Sequence, residues 1–315
     1  MKLKFIKNIL SSPLTFPGAY HLAESIVSRQ FGGFICCWHD LPAEVFQSHV
    51  ESLHPAKPIP LEELVNRFQS GKSTKGCFAI TFDDGVGATV RNISKKCIEK
   101  GWPVTFYVPT AYLDGEALPY QKIEFINKYL PSGRYQVPSF LKNFENKIIK
   151  KQSIVKALSN FIYYENYKLI NSTLNYFLNL LDKEIFFMLK NEYTKPISWN
   201  EIEILSKKTV ISFQSHSVTH SAVSGLNANE IEYEMNKSKE IIQSHTGQNV
   251  HSFCYPYGEE RSIGSIAPKL AKKYFSSAVT LIRGRLSKNN TFYLPRIGFY
   301  KEDATSFIRL KTILN

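Results

Sequence analysis

Two adjacent carboxylates follow an apolar stretch of the sequence. CFAITF, residues 77–82, has the composition of a buried strand, and Asp83, Asp84 and Gly85 come directly after it. Neighbouring carboxylates at the end of a buried strand repel each other and lose solvation unless they share a cation or a proton. Gly85 permits the sharp turn that lets both face one site. The alternative is a solvated turn, which the sequence D-D-G also suits.

A pair of histidines follows another predicted strand. His216 and His220 come after TVISFQS, residues 209–215, and a spacing of four places two side chains on one side of a helical turn. Two histidines and one aspartate, each after a strand, make a three-ligand set with room for water. That composition is typical of catalytic rather than structural zinc sites. A chance histidine pair is the alternative, and the aspartates in the same context weigh against it.

These polar residues need a scaffold that brings strand ends together. Short β-rich runs alternate with helical ones, which favours a parallel sheet or barrel with its polar chemistry at the carboxyl ends of the strands. Strands are predicted at residues 32–38, 76–82, 103–109, 209–215, 250–256 and 276–282. Helices are predicted at residues 61–70, 88–100, 228–246 and 265–274. Asn227 and Glu230 form a capping-box sequence before the third of these helices, and Gly247 supplies its end.

The order of three motifs resembles a known enzyme family. TFDDG at residues 81–85, HSVTH at 216–220 and YPYG at 255–258 occur as they do in the NodB-type polysaccharide deacetylases, carbohydrate esterase family 4. The resemblance covers most of residues 32–300, except the segment 119–195. It implies an α/β fold, a distorted and incomplete (β/α) barrel of the NodB type, and metal-dependent removal of N-acetyl groups from amino sugars.

The resemblance also implies roles for individual residues. Asp84, His216 and His220 match the ligands of a divalent metal ion, with zinc the default and cobalt, nickel, manganese or iron also compatible. Asp83 matches the catalytic base, which takes a proton from water that the cation has acidified. The backbone N–H of Tyr257 matches the donor to the oxyanion. The two tyrosine rings of YPYG are expected to border a sugar ring.

Two features of many relatives are missing from this sequence. The arginine that orients the base has Cys254 in its place, and the late Leu-x-x-His motif that supplies a general acid is absent, since no histidine follows His251. We predict replacements for both. Arg296, in an L-P-R-I sequence similar to one near the end of YPYG-type relatives, is the candidate for the arginine. An ordinary structural ion pair is the alternative.

His39 is the candidate for the general acid. It follows the apolar run GGFIC and resembles the early-strand histidine of the deacetylases of exopolysaccharide export systems. Histidine changes charge near neutral pH, which suits an acid that protonates a departing amine, and Asp40 is expected to tune it. A packed or surface histidine at a strand end is the alternative.

The segment 119–195 differs in kind from its surroundings. It is rich in Lys, Asn, Phe and Tyr, and the apolar periodicity of SIVKALSNFIYYENYKL and STLNYFLNLLDKEIFFMLK predicts helices. Its 12 Lys and Arg against 6 Asp and Glu give half of the chain's formal charge of +12. We predict a helical insertion within a deacetylase-like domain, residues 32–315, behind an N-terminal helical segment, residues 1–31. The insertion is either a lid with a solvated basic face or a surface for an anionic glycan, carrier or lipid.

Composition excludes several classes of protein. A chain of 315 residues with 43% hydrophobic residues can bury a large core and is not disordered. Five cysteines without a C-x-x-C pair indicate neither a disulfide framework nor a thiolate metal site, and a reducing compartment fits them best. No apolar run is long enough to span a membrane, and Lys7 and Asn8 interrupt any signal-peptide core. We expect a cytoplasmic protein, with an N-terminal helix lying on a membrane as the alternative.

The expected partner is an N-acetylated sugar or glycan. A lipid-linked or nucleotide-linked intermediate of surface glycan assembly is predicted in preference to a finished polymer. No nucleic-acid partner is expected, because the basic charge comes without a recognisable binding motif. The alternatives are removal of a formyl group or an O-acetyl ester by the same site, or an inactive glycan-binding homologue, which the missing arginine and late histidine would suggest.

Overall fold

A parallel sheet organises the chain in this computed structural model, which describes residues 32–137, 148–189, 195–286 and 291–313. The predicted N-terminal helical segment, residues 1–31, lies outside the described residues. In chain order the strands are β1 (Phe34–Trp38), β2 (Lys57–Pro58), β3 (Cys77–Phe82), β4 (Val104–Val108), β5 (Arg134–Gln136), β6 (Ile148–Lys150), β7 (Ile211–Ser215), β8 (Ser252–Cys254), β9 (Ser277–Val279) and β10 (Ile297–Gly298).

Helices surround this sheet. They are α1 (Ala43–Ser52), α2 (Leu61–Gln69), α3 (Gly87–Lys100), α4 (Thr110–Leu113), α5 (Pro119–Tyr129), α6 (Lys151–Phe161), α7 (Tyr167–Leu178), α8 (Lys183–Met188), α9 (Trp199–Ser206), α10 (Ala228–Thr246), α11 (Glu260–Ile263), α12 (Ala267–Tyr274) and α13 (Thr305–Ile313). The start of α10 has the predicted capping box, because Asn227 accepts the N–H of Glu230 and Glu230 accepts the N–H of Asn227. Gly247 ends the helix with a φ of 64°.

The main sheet curves into an incomplete barrel. Its strand order is β10-β1-β3-β4-β7-β8-β9, every neighbouring pair is parallel, and β2 pairs with the start of β3. Leu294 forms a single parallel bridge to Val279 just before the chain enters β10. Residues 294–298 therefore connect β9, at one end of the strand order, with β1 near the other end. The predicted α/β fold, an incomplete (β/α) barrel of the NodB type, is confirmed, and the six predicted strands are present, whereas β2 and β10 were not predicted.

Alternation along the strands creates two apolar clusters. Every second strand residue packs outward against the helices, as Trp38, Phe82 and Phe106 do. The intervening residues face inward, and Tyr107 and Cys254 belong to this smaller inner cluster. Small and polar side chains continue the inward rows at the carboxyl ends of the strands, so the inner face ends in a polar site.

The segment 119–195 has its own apolar core, formed by residues of α5, α6 and α7. Its predicted long helical stretches are each interrupted, and α7 begins where the side chain of Asn166 accepts the N–H of Leu169. A two-stranded antiparallel sheet of β5 and β6, which was not predicted, completes the described part of the segment. No helix among the described residues is both long and apolar enough to cross a membrane.

Candidate active site

Asp83 and Arg296 form a buried ion pair on the inner face of the barrel. The Arg296 Nη1 and Nη2 atoms donate to Oδ1 and Oδ2 of Asp83 at 2.8 and 2.6 Å, a two-point contact. Arg296 is completely buried, and its Nε donates to the carbonyl oxygen of Thr280 at 2.8 Å. Burial by itself raises the pKa of Asp83, but the adjacent guanidinium outweighs it and holds that pKa below its usual range. The carboxylate is thereby kept ionised and fixed in orientation.

Two thiols complete the surroundings of Asp83. Cys37 and Cys254 each place Sγ 3.5 Å from Asp83 Oδ2. Burial raises the pKa of both thiols well above the ordinary cysteine value, so they are neutral groups beside the ion pair. Cys254 also lies 3.1 Å from Arg296 Nη2. Cys254, which stands where many relatives carry an arginine, therefore contacts Arg296, an arginine from a later part of this chain.

Asp84 turns the other way and meets the two histidines. Its Oδ1 lies 3.5 Å from His216 Nε2 and 3.3 Å from His220 Nε2. Asp84 has a φ of 73°, and His220 one of 56°. Left-handed backbone is uncommon for such residues and persists where the surrounding structure enforces it. Ser217 and Tyr257 are the other two non-glycine residues with positive φ in the described ranges, so all four lie at this site.

These three side chains fit a metal ion. Zinc bonds of about 2.0–2.2 Å in a tetrahedral arrangement place two ligand atoms about 3.4 Å apart, and the observed separations are 3.3 and 3.5 Å. The Nδ1 of His216 contacts the carbonyl oxygen of Cys254 at 2.8 Å, which turns Nε2 toward Asp84. Asp84, His216 and His220 are therefore a possible metal site.

Two other groups of potential ligands lie nearby, and both include Asp83. They are Cys37 with His39 and Asp83, and Asp83 with His216 and Cys254. Since Arg296 already places a positive charge against both oxygens of Asp83, a cation at either position would be repelled. The charge distribution favours the group built on Asp84.

A buried glutamate supports the histidine loop. Glu234, in α10, accepts the backbone N–H groups of Val218 and Thr219 at 2.8 and 2.9 Å, and the Thr219 hydroxyl at 2.8 Å. The Ser217 hydroxyl accepts the N–H of His220 at 2.9 Å. The HSVTH motif is therefore a loop held by Glu234 of α10 and not a regular helical turn. This loop brings His216 and His220 together. Nothing in the sequence singled out Glu234.

His39 lies at the entrance to the ion pair. Its Nε2 is 3.8 Å from Asp83 Oδ2, and 41% of its side chain is exposed. It contacts the same carboxylate oxygen as the two thiols but remains open to solvent on its other side. Asp40, which was expected to tune it, accepts a hydrogen bond from the Thr89 hydroxyl.

The two tyrosines of YPYG are placed differently. Tyr255 is 1% exposed, and its hydroxyl donates to the carbonyl oxygen of Phe292, so the prediction that its ring borders a sugar was wrong. Tyr257 packs its ring 4.9 Å from that of His220 and 4.9 Å from that of Tyr163. Its ring therefore joins the histidine pair to the segment 119–195.

A cavity of about 830 Å³ lies over the site, and the site residues that line it are His39, Asp83, Asp84, His216, His220 and Tyr257. Residues of the barrel form part of the lining, and residues of the segment 119–195 form the rest. The latter are Tyr120, Gln121, Ile123, Glu124, Ser159, Ile162, Tyr163 and Lys195. The sequence predicted either a lid or a glycan, carrier or lipid surface for this segment but identified none of these residues, because the helical periodicity of a segment describes its own packing and not the face it presents to the barrel.

The fold and the site define a class: an incomplete (β/α) barrel with a possible Asp-His-His metal site at the carboxyl ends of its strands. Residues 167–275 match the sequence model of the polysaccharide deacetylase family. The matched stretch contains the HSVTH and YPYG motifs, whereas TFDDG lies before it. The resemblance inferred from the motifs is confirmed, and the match supports glycan deacetylation as the activity. No curated protein matches the chain in a sequence comparison.

Solved structures share the fold at low sequence identity. The deacetylase PplD from Streptococcus pyogenes, in complex with acetate, has a TM-score of 0.57 and 12% identity, over 90% of this chain and 98% of that one. IcaB from Ammonifex degensii has a TM-score of 0.53 and 12% identity, over 90% and 97% of the two chains. A de-N-acetylase from Aggregatibacter actinomycetemcomitans has a TM-score of 0.53 and 14% identity, over 89% and 99%.

Proposed function

We propose that the protein is a metal-dependent hydrolase that removes N-acetyl groups from an amino sugar in a surface glycan or its carrier-linked precursor. The observation that supports this most is the side-by-side placement of two differently tuned aspartates. Asp83 is bound to Arg296, whereas Asp84 faces His216 and His220, and both open into one cavity. Adjacent carboxylates in unlike surroundings are suited to different tasks.

Asp84, His216 and His220 would hold the divalent cation, with zinc the first candidate. When bound, the cation supplies Lewis acidity toward the amide carbonyl and lowers the pKa of water. Asp83 then accepts the proton of the attacking water. Arg296 serves this step in two ways: it keeps Asp83 unprotonated, and it holds the carboxylate in one orientation.

His39 is the proposed general acid. Hydrolysis forms a bond from the water oxygen to the acetyl carbon and breaks the carbon–nitrogen bond, and the departing nitrogen must gain a proton to leave as an amine. His39 lies 3.8 Å from Asp83 Oδ2, close enough for base and acid to act on one substrate from neighbouring positions. Its partial exposure allows it to regain a proton from solvent. The backbone N–H of Tyr257 is the proposed donor to the developing oxyanion.

The cavity suits a sugar. Five tyrosines border it, namely Tyr112, Tyr120, Tyr163, Tyr257 and Tyr300. Aromatic faces match the apolar faces of pyranose rings. We infer that a carrier-linked sugar is the substrate and that the basic segment 119–195 attracts the anionic carrier or a membrane surface, in a cytoplasmic setting. Half of the chain's excess positive charge lies in this segment, whose charged residues at the cavity itself are Lys195 and Glu124.

The test combines metal content with acetate release. Wild-type protein and the Asp83→Asn variant are assayed on N-acetylated lipid-linked, nucleotide-linked and polymeric glycans, with and without a chelator. The proposal expects acetate release by the wild type that the chelator abolishes and that falls by several orders of magnitude in Asp83→Asn. Asp114→Asn is the matched control, since Asp114 accepts a hydrogen bond from Trp199 and does not line the cavity.

The alternatives give different results when N-formylated and O-acetylated glycans are added to the same assay. Formate in place of acetate would identify a deformylase, and acetate released only from O-acetylated glycans would identify an esterase. Glycan binding that is equal in wild type and Asp83→Asn, without any released acid, would identify an inactive homologue. Much faster release from polymers than from carrier-linked sugars would overturn the substrate proposal while leaving the chemistry intact.

A further inference from the structure

Tyr120 connects the segment 119–195 to the aspartate of the possible metal site. It is the second residue of α5, and its hydroxyl donates to Asp84 Oδ2 at 2.9 Å. Its ring lies 6.0 Å from that of His220, in an edge-on arrangement. Tyr120 therefore contacts two of the three residues that would hold the cation, from an element outside the barrel.

The two oxygens of Asp84 have separate partners. Oδ1 lies 3.3 and 3.5 Å from the histidine Nε2 atoms, whereas Oδ2 accepts the Tyr120 hydroxyl. A carboxylate without a partner on its second oxygen can rotate about its Cβ–Cγ bond and exchange the two. With Oδ2 engaged, only Oδ1 is presented to the point where the histidine nitrogens converge.

The position of Tyr120 is itself held by several contacts. Gln121 accepts the N–H of Leu118 at 3.0 Å, which fixes the first turn of α5, and buried residues of α5 pack into the core of the segment. Lys122 donates to Asn171 of α7 at 2.5 Å and ties the two helices together. The hydroxyl is thus presented by a packed helix and not by a free loop, as an orienting group requires.

We propose that Tyr120 is a positioning residue that orients the carboxylate of Asp84 for metal binding. The inference rests on the proposed function for the metal site and extends it to the segment 119–195. Groups that orient metal ligands typically contribute 10- to 100-fold to metal affinity. The segment would then be part of the metal site as well as a wall of the substrate cavity.

Metal binding by the full-length protein tests this directly. Metal-free wild type, Tyr120→Phe and Tyr135→Phe are titrated with Zn²⁺ in competition with a chromophoric chelator, and the visible absorption spectra of their Co²⁺ complexes are recorded. Tyr135→Phe is the matched control, because it removes a hydroxyl of the same segment that donates to the Pro131 carbonyl oxygen. We expect Zn²⁺ affinity to fall by about 10- to 100-fold in Tyr120→Phe, with an altered Co²⁺ spectrum, and neither to change in Tyr135→Phe.

Each other outcome counts against the inference. Wild-type affinity and spectrum in Tyr120→Phe would overturn the positioning role and leave the proposed metal site standing. A wild type that binds neither ion would overturn the metal site itself, and the positioning role with it. Circular dichroism and thermal melting of the metal-free variants show whether they are folded. A Tyr120→Phe protein that does not fold would mean that the hydroxyl has a structural role instead.

Discussion

Arg296 and Asp83 are 213 positions apart in the chain, yet the two terminal nitrogens of Arg296 donate to the two carboxylate oxygens of Asp83 at 2.8 and 2.6 Å. The contact is possible because Leu294 bridges to β9 and Ile297 pairs with β1, so the chain between them crosses the gap between the sheet edges. Arg296 reaches the barrel interior from that stretch. The arginine that contacts Asp83 is therefore supplied by the stretch of residues 294–297 and not by the position of Cys254.

Removal of Arg296 should destabilise the protein strongly. Arg296→Met would leave Asp83 buried without its counter-charge, and breaking a buried pair from one side costs about 3–5 kcal/mol. The expected result is a loss of that size in the free energy of unfolding of metal-free protein, measured with urea. The double variant Asp83→Leu with Arg296→Met should recover part of the loss, because no unpaired charge then remains.

The exposed pair of Arg91 and Glu201 offers the matched comparison for Arg296. The Arg91 side chain is 49% exposed, so Arg91→Met should cost less than about 1 kcal/mol. Equal losses in Arg91→Met and Arg296→Met would contradict a special role for burial of the Asp83 pair.

Glu234 should matter for stability and for metal affinity together. Glu234→Gln replaces a charged acceptor of two backbone N–H groups by a neutral one, and we expect the free energy of unfolding to fall by about 1–3 kcal/mol. Because the same loop carries His220, Zn²⁺ affinity should fall as well. Urea unfolding and chelator competition measure the two effects.

Glu232→Gln is the control for Glu234, since Glu232 lies on the same helix in a solvent-exposed pair with Lys273. It should change stability by less than about 1 kcal/mol and leave metal affinity unaltered. Loss of stability without loss of metal affinity in Glu234→Gln would show that the loop reaches its conformation by other contacts.

His39 should be needed for turnover and not for metal binding. Loss of a general acid typically costs about 10²- to 10⁴-fold in rate, so His39→Gln should lower kcat by that factor at unchanged Zn²⁺ affinity. His251→Gln is the control, because the ring of His251 contacts the carbonyl oxygen of Asn249 and not Asp83. Weaker metal binding in His39→Gln would identify a ligand in place of an acid, and an unchanged kcat would assign the proton to another group.

The predictable part of this molecule was local in the sequence. Strands with apolar runs and polar ends predicted the sheet, and Asp84, His216 and His220 followed from short motifs at the carboxyl ends of two of its strands. Arg296 was identified only through the L-P-R-I sequence. The two-residue strand β10 has too little apolar pattern to predict, although it is what brings Arg296 inward.

The supporting contacts could not be predicted, for a physical reason. Glu234 and Tyr120 are ordinary helix residues in the sequence, and their roles arise from which helix face meets the site. The direction of a helix face depends on tertiary packing, which periodicity within one segment does not specify. The β5–β6 pair was missed because its three-residue strands lie in a stretch dominated by helical patterns.

The free energy of unfolding should decrease as the pH falls below neutral, because of His49. This histidine is 1% exposed; its Nδ1 accepts the indole N–H of Trp38 at 3.2 Å, and its Nε2 contacts the carbonyl oxygen of Asp303 at 3.0 Å. Burial lowers the pKa of His49, and Lys311 lowers it further, while Asp303 partly opposes them. The Trp38 contact requires a neutral ring, since a protonated Nδ1 could not accept the indole hydrogen.

The unfolded chain therefore binds a proton at His49 that the folded protein does not, between the ordinary histidine pKa of about 6.5 and the lower folded value. The free energy of unfolding should decrease as pH falls through this range, with a slope from His49 of at most about 1.4 kcal/mol per pH unit. His49→Gln keeps an acceptor for Trp38 and a donor for Asp303 but cannot titrate. Urea unfolding from pH 8 to pH 5 should show a smaller slope in His49→Gln than in the wild type, because the other titrating groups are common to both. Identical slopes would mean that His49 binds its proton equally in the folded and unfolded states. That result would contradict the neutral ring that the contact with Trp38 requires.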